Sequence, residues 1–218
     1  MDKDETGLAL AGELFKLSVA QPQRARMIID DELTPLAKRF PDDPDVIKWL
    51  ARALCNLSVN EPQNVRAIVD EIRQLAARFP GDEEINGALA MGLFNVSSYE
   101  PGRARAIIDD ELAPLAARFP DDPGIGEQLA RALANLASQE PLNARAIVDD
   151  ELAPLAARFP DNADINFMLA VALSGLCVGD LQHAETVVSG ELAPLAARFP
   201  EDASFQQLLA HARRRWGS

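Results

Sequence analysis

The chain is poor in the residues that most often carry chemistry. Its 218 residues include two cysteines, two histidines and one tyrosine, and only 6% are aromatic. His183 and His211 have no cysteine or acid at ligand spacing, so no metal site is expected. No glycine-rich phosphate loop follows a strand, because no stretch reads as a strand. No serine, cysteine or lysine nucleophile has a placed base, so the expectation is a protein that is not an enzyme and needs no cofactor. No run of eighteen apolar residues occurs, which argues against a membrane span, and the polar, acidic start from Met1 to Thr6 does not read as a signal peptide. Basic residues are also scarce: 21 Lys and Arg stand against 34 Asp and Glu, a net charge of -13. Such a chain repels phosphate backbones, so nucleic acid is not expected as a partner, and a basic or apolar polypeptide suits it better.

What the chain has in abundance is repetition. The nonapeptide Leu-Ala-Pro-Leu-Ala-Ala-Arg-Phe-Pro stands unchanged at Leu112 to Pro120, Leu152 to Pro160 and Leu192 to Pro200. A near copy runs from Leu33 to Pro41 and a worn copy from Ile72 to Pro80, so the Arg-Phe-Pro ends fall 39, 40, 40 and 40 residues apart. A fixed period of this size is the mark of an array in which each unit buries its apolar face against its neighbours. The expectation is an all-α chain of one domain, residues 1–218: a lone first helix (1–20), then units at 21–59, 60–98, 99–138, 139–178 and 179–218. In the last unit Arg213 to Arg215 replace apolar positions, which reads as a polar end cap.

Within a unit, Asp-Asp-Pro, as at Asp42 to Pro44, starts a long helix, since a carboxylate caps free amides and proline at the first helical position gives up no bond. The buried stripe of that helix is Val46, Leu50, Ala53, Leu54 and Leu57, and the same spacing recurs from Ile85, Ile125 and Ile165. Beside it Ala51, Ala90, Ala130 and Ala170 leave room for a neighbouring helix. The lone first helix, read over Gly7 to Val19, carries Leu10, Leu14 and Leu17 on one face. The segment after each Glu-Pro predicts a short and a medium helix, three helices per unit in all, because a proline such as Pro114 cannot sit inside a continuous α-helix. The second unit has Gln74 in place of that proline and is one residue shorter, so a break or bulge is expected near Asp30, Asp109, Asp149 and Ser189 and a straighter run near Asp70. The Asp-Asp-Glu clusters read as caps of the medium helix, since contiguous carboxylates splay around a helix instead of converging on an ion. Cys55 and Cys177 lie three units apart, roughly 30 Å at ~10 Å per helix step, beyond the about 7 Å between α-carbons that a disulfide spans. Free thiols fit a reducing, cytoplasmic setting.

The ends of the long helices, Ala-Leu-Cys-Asn-Leu-Ser at Ala53 to Ser58 and Ala-Leu-Ala-Asn-Leu-Ala at Ala132 to Ala137, resemble armadillo repeats and the related HEAT repeats. So do the early proline of the middle helix, Gly190 at the place where armadillo repeats turn, and the period. A tetratricopeptide-like array is the second resemblance, through Leu50-Ala51, Leu54 and Pro80. The resemblance implies a right-handed superhelical solenoid of about five units whose long helices line a concave face, and a function in binding a protein or peptide there.

The candidate face lies opposite the buried stripe, at helical spacing, where the units differ most. It contains Phe15; Lys48 and Arg52, flanked by Trp49; Met91 and Phe94; Arg131; and Phe167 and Val171, together with Cys55 and Ala134. An apolar exposed column marks an interaction site, unless neighbouring helices cover it. In armadillo repeats an asparagine of the long helix holds a partner's main chain, a role the resemblance implies for Asn56, Asn95 and Asn135. The alternative is that these amides bond to a neighbouring unit. Arg52, Met91 and Arg131 stand where peptide-binding armadillo proteins place tryptophan, which departs from recognition of basic side chains. The alternatives are a structural module that self-associates as a homodimer through the first helix (Leu8 and Phe15), or a repeat segment of a larger signalling protein.

Overall fold

The structure, a computed structural model, describes residues 3–179 and 184–216, the side chains of 3–5, 178, 179 and 216 excepted. His183 and the side chain of Val178 therefore lie outside the described residues. The fold is all-α. Six long helices are α1 (Lys3–Ala20), α3 (Pro44–Asn60), α5 (Glu83–Tyr99), α7 (Pro123–Gln139), α9 (Ala163–Gly179) and α11 (Ala203–Trp216). Between them run α2 (25–39), α4 (Val65–Arg78), α6 (104–118), α8 (144–158) and α10 (184–197). No helix among the described residues is long and apolar enough to cross a membrane.

The same residues start each long helix in the same way. Asp43 accepts from the amides of Asp45 and Val46, and Asp82, Asp122 and Asn162 repeat the cap with Ile85, Ile125 and Ile165. The turn before each cap is closed by the carbonyl of the Arg-Phe-Pro phenylalanine, as when Phe79 accepts from Asp82 at 3.1 Å. The arginine of each such triplet lies over the following ring, at 5.0 Å for Arg118 on Phe119. Arg78 and Arg198 also donate to the carbonyls of Pro41 and Pro160, one unit back, and Arg118 donates to Oδ1 of buried Asn86. The repeated nonapeptide thus ends each second helix and builds the turn, and through Arg78, Arg118 and Arg198 it ties three of these turns to the unit before. Asn166, in register with Asn86, keeps a buried Oδ1 without a partner because Arg198 goes to the Pro160 carbonyl instead.

The second helices correct the expectation of three helices per unit. In α2, α6, α8 and α10 the chain passes through a π turn, at Ile29–Leu33, Ile108–Leu112, Val148–Leu152 and Val188–Leu192, and continues as one helix. The amide of Thr34 reaches the carbonyl of Ile29, five residues back, and Ala113, Ala153 and Ala193 do the same. The extra residue is absorbed as a bulge, not a break. The proline follows at once, in the first positions of the resumed α-helix, so it takes no donor from a regular ladder. The one-residue-shorter unit runs as uninterrupted α-helix through α4. Gly190 lies inside the π turn and marks no corner, and a β-carbon there would meet nothing within 4 Å.

Consecutive long helices pack on each other: α1 on α3, α3 on α5, α5 on α7, α7 on α9 and α9 on α11. Each second helix between them packs on the long helix before it and the long helix after it. Ala51, Ala90, Ala130 and Ala170 are fully buried at these contacts, and the stripes from Val46, Ile85 and Ile125 are buried throughout. Leu169 and Leu176 of the fourth stripe are only half-buried. Each leucine fully buried in these stripes contributes about 1.5–3 kcal/mol. Both cysteines are free and buried, and burial pushes the Cys55 thiol up to about 12.

Candidate binding face

The predicted column lies along the long helices, and the structure divides it into covered and open positions. Cys55 and Ala134 are buried, because the neighbouring helix approaches closely on that side. Phe15, Lys48, Trp49, Phe94, Arg131 and Phe167 are half-buried, while Arg52, Asn56, Met91, Asn135 and Val171 are exposed.

At the first end an aromatic and charged cluster joins three helices. The rings of Phe15 on α1 and Trp49 on α3 have centroids 5.1 Å apart, tilted by 37°. The Arg52 guanidinium lies 5.1 Å over Trp49 and donates to Glu84 on α5 at 2.8 Å. Gly12 leaves a flat seat for the indole, which would stand 3.5 Å from a β-carbon there. Lys48 bridges Asp45 at 3.1 Å and Asp82 at 3.4 Å, and its ammonium is held above the usual lysine range, chiefly by the hydrogen bond to Asp45. Beside this cluster Phe15, Arg52, Asn56, Glu84, Gly87 and Met91 line an open cavity of about 300 Å³.

The three asparagines divide in the same way. Asn95 is buried and donates to Oγ of Ser58 on α3 at 2.8 Å, so its amide joins two long helices. Asn135 makes a longer contact of 3.4 Å to Ser98 while staying exposed. The Asn56 side chain is exposed, and the backbone carbonyl of that residue accepts from the Asn60 side chain. Of the three, Asn56 and Asn135 are accessible to a partner and Asn95 is not.

Further along, Arg131 pairs with Glu127 one turn earlier on α7. The Glu127 carboxyl is held above its ordinary range by burial, which the Arg131 charge partly offsets. Phe167 meets Phe205 edge to face at 5.3 Å and ties α9 to α11. Val171 borders a cleft of about 880 Å³ between α7 and α9, where Gly175 stands in place of the asparagine. Among the described residues no group of three or more His, Cys, Asp or Glu could hold a metal ion.

One feature escaped sequence reasoning. The Asp-Asp-Glu clusters cap nothing, since no side chain there caps a helix end. Their carboxylates instead join unit to unit. Arg26 donates to Asp30 in its own helix and to Glu71 in the next second helix, and Arg145 does the same with Asp149 and Glu191. Arg105 donates to Glu151 and forms an ion pair with Asp109. In the bulge-free α4, Arg73 takes over the contact to Glu111, and Arg66 turns to Glu100, whose carboxyl it holds below the usual range by hydrogen bonding. The available signal was an arginine and a glutamate six positions apart in three of the four bulged helices, α2, α6 and α8. That spacing points them to different faces of one helix and leaves both for neighbours.

Comparison of the chain with protein-family models, with curated proteins and with solved structures finds no match.

Proposed function

We propose that the chain is a non-enzymatic scaffold that binds a protein or peptide along the wall formed by its long helices. On this reading the units stack into a right-handed superhelical solenoid of the armadillo or HEAT kind, with a tetratricopeptide-like array as the second geometry, acting in the cytoplasm. The observation that carries the reading is the contrast within each long helix. In α3, α5 and α7 one face repeats closely similar buried residues, whereas the opposite face changes from unit to unit and stays partly open around the cavity between Phe15 and Met91. Packing alone asks for sameness, and a surface shaped by an outside molecule does not. The net charge of -13 favours a basic segment, which Glu84 at the cavity rim could receive. The apolar rim of Phe15 and Met91 favours an apolar anchor beside it.

Selection of peptides from a displayed random library on the immobilised intact chain tests this. The expected binders are basic with an apolar anchor, and the double variant Glu84→Arg, Met91→Ala, which reverses the acceptor and removes the apolar rim, weakens them at least tenfold. Both side chains are exposed, so the variant should melt close to the parent in circular dichroism. Failure to enrich any peptide, or peptides that bind the double variant as tightly as the parent, would reject the groove.

A further inference from the structure

The two ends of the array are not alike. In α3 the leucines Leu50 and Leu57 are 5% and 1% exposed, and Leu50 lines a small cavity together with Ala37 of the preceding second helix and Leu75 of the following one. The residues in the same register on α1 are Leu10 and Leu17, 47% and 36% exposed. Nothing about their type differs. What differs is that α2 follows α1, while no second helix among the described residues lies on its other side.

The ion-pair ladder has the same open end. Glu71, Glu111, Glu151 and Glu191 each accept an arginine from the preceding second helix. Glu32 holds that register position in α2, is exposed, and has no ion pair among the described residues. At the far end the ladder is closed by sequence. The position of Arg26, Arg66, Arg105 and Arg145 is Glu185 in α10, and α11 ends in the exposed Arg213 to Arg215. Among the described residues the array thus keeps an unanswered acceptor and an uncovered leucine pair at one end, and neither at the other.

We propose that the open face of α1, together with Glu32, is a docking site for an arginine-bearing amphipathic helix of a partner polypeptide, seated where a second helix sits in every later unit. The apolar face of that helix covers Leu10 and Leu17, and its arginine reaches Glu32 as Arg105 reaches Glu151. A second copy is the poorer occupant: its own second helices are already packed between long helices, and it brings another Glu32 and a net charge of -13 to the contact.

The chain itself supplies the probe. A labelled peptide with the sequence of residues 103–119, which carries Arg105, is titrated with the intact protein and followed by fluorescence anisotropy. Saturable binding is expected, weakened at least tenfold by Glu32→Arg or by Leu10→Glu with Leu17→Glu. Pairing Glu32→Arg with a peptide carrying Arg105→Glu should restore binding. The substituted side chains are exposed, and unchanged melting verifies that the variants fold. The groove variant Glu84→Arg, Met91→Ala should leave this peptide bound, so failure here and failure of the groove reading are told apart. No saturable binding, binding indifferent to Glu32→Arg, or a dimer in sedimentation that Leu17→Glu dissolves would overturn the proposal.

Discussion

Two glycines on long helices make opposite demands on their surroundings. A β-carbon on Gly126 of α7 would lie 2.9 Å from the Phe159 ring, whereas one on Gly87 of α5 would meet nothing within 4 Å. Gly126→Ala should therefore cost about 1–3 kcal/mol through overpacking. Gly87→Ala should stabilise by roughly 0.5–1 kcal/mol, because alanine restricts the unfolded chain and suits a helix better. Urea denaturation of the two variants measures both, and equal effects would contradict the packing described. At this scale the sequence was a good guide where one residue decides its own environment. The capping aspartates and the fully buried alanines could be read from type and spacing alone. The asparagines could not, because Asn95 and Asn56 occupy the same place in the motif. Only the serine across the helix pair separates them: Ser58 stands opposite Asn95.

At the scale of the helix, the extra residue and the proline of each second helix belong together. The sequence showed that they come and go together, and predicted straightness near Asp70. It did not show that the helix survives, because a hydrogen bond reaching five residues back leaves no residue signature of its own. The consequence is measurable. Gln74→Pro places proline in the uninterrupted α4, where it removes a ladder bond and should cost about 3 kcal/mol. Pro114→Ala, just after a π turn, should change stability by well under 1 kcal/mol, since proline there occupies an early position in the resumed helix. Chemical denaturation that ranks the two variants the other way would contradict the assigned turns. The Arg-to-Glu contacts between second helices are partly exposed, and each is worth roughly 0–1 kcal/mol. Their main effect is to hold register between units, and they became visible only when neighbouring helices were placed side by side.

For the whole molecule, the period of about forty made the order of units legible from the sequence. Periodicity also identified the side of each long helix that faces away from the buried stripe. It could not say how far that side stays open, because coverage depends on the distance between helices: Cys55 and Ala134 are buried in the same column that leaves Met91 and Val171 exposed. The exposed leucines of α1 follow from the same dependence, since a residue suited to burial is buried only where a neighbour exists. The groove and the open end therefore both depend on long helices lying side by side in chain order. Distances between spin labels test that order most directly. With Cys55 and Cys177 replaced by alanine, labels are placed at the exposed positions 56 and 135, two helix steps apart, and at 56 and 175, three steps apart. At ~10 Å per step, the account predicts mean separations of roughly 20 Å and roughly 30 Å. A separation for 56 and 175 equal to or shorter than that for 56 and 135 would mean the helices close into a globule, and would contradict it.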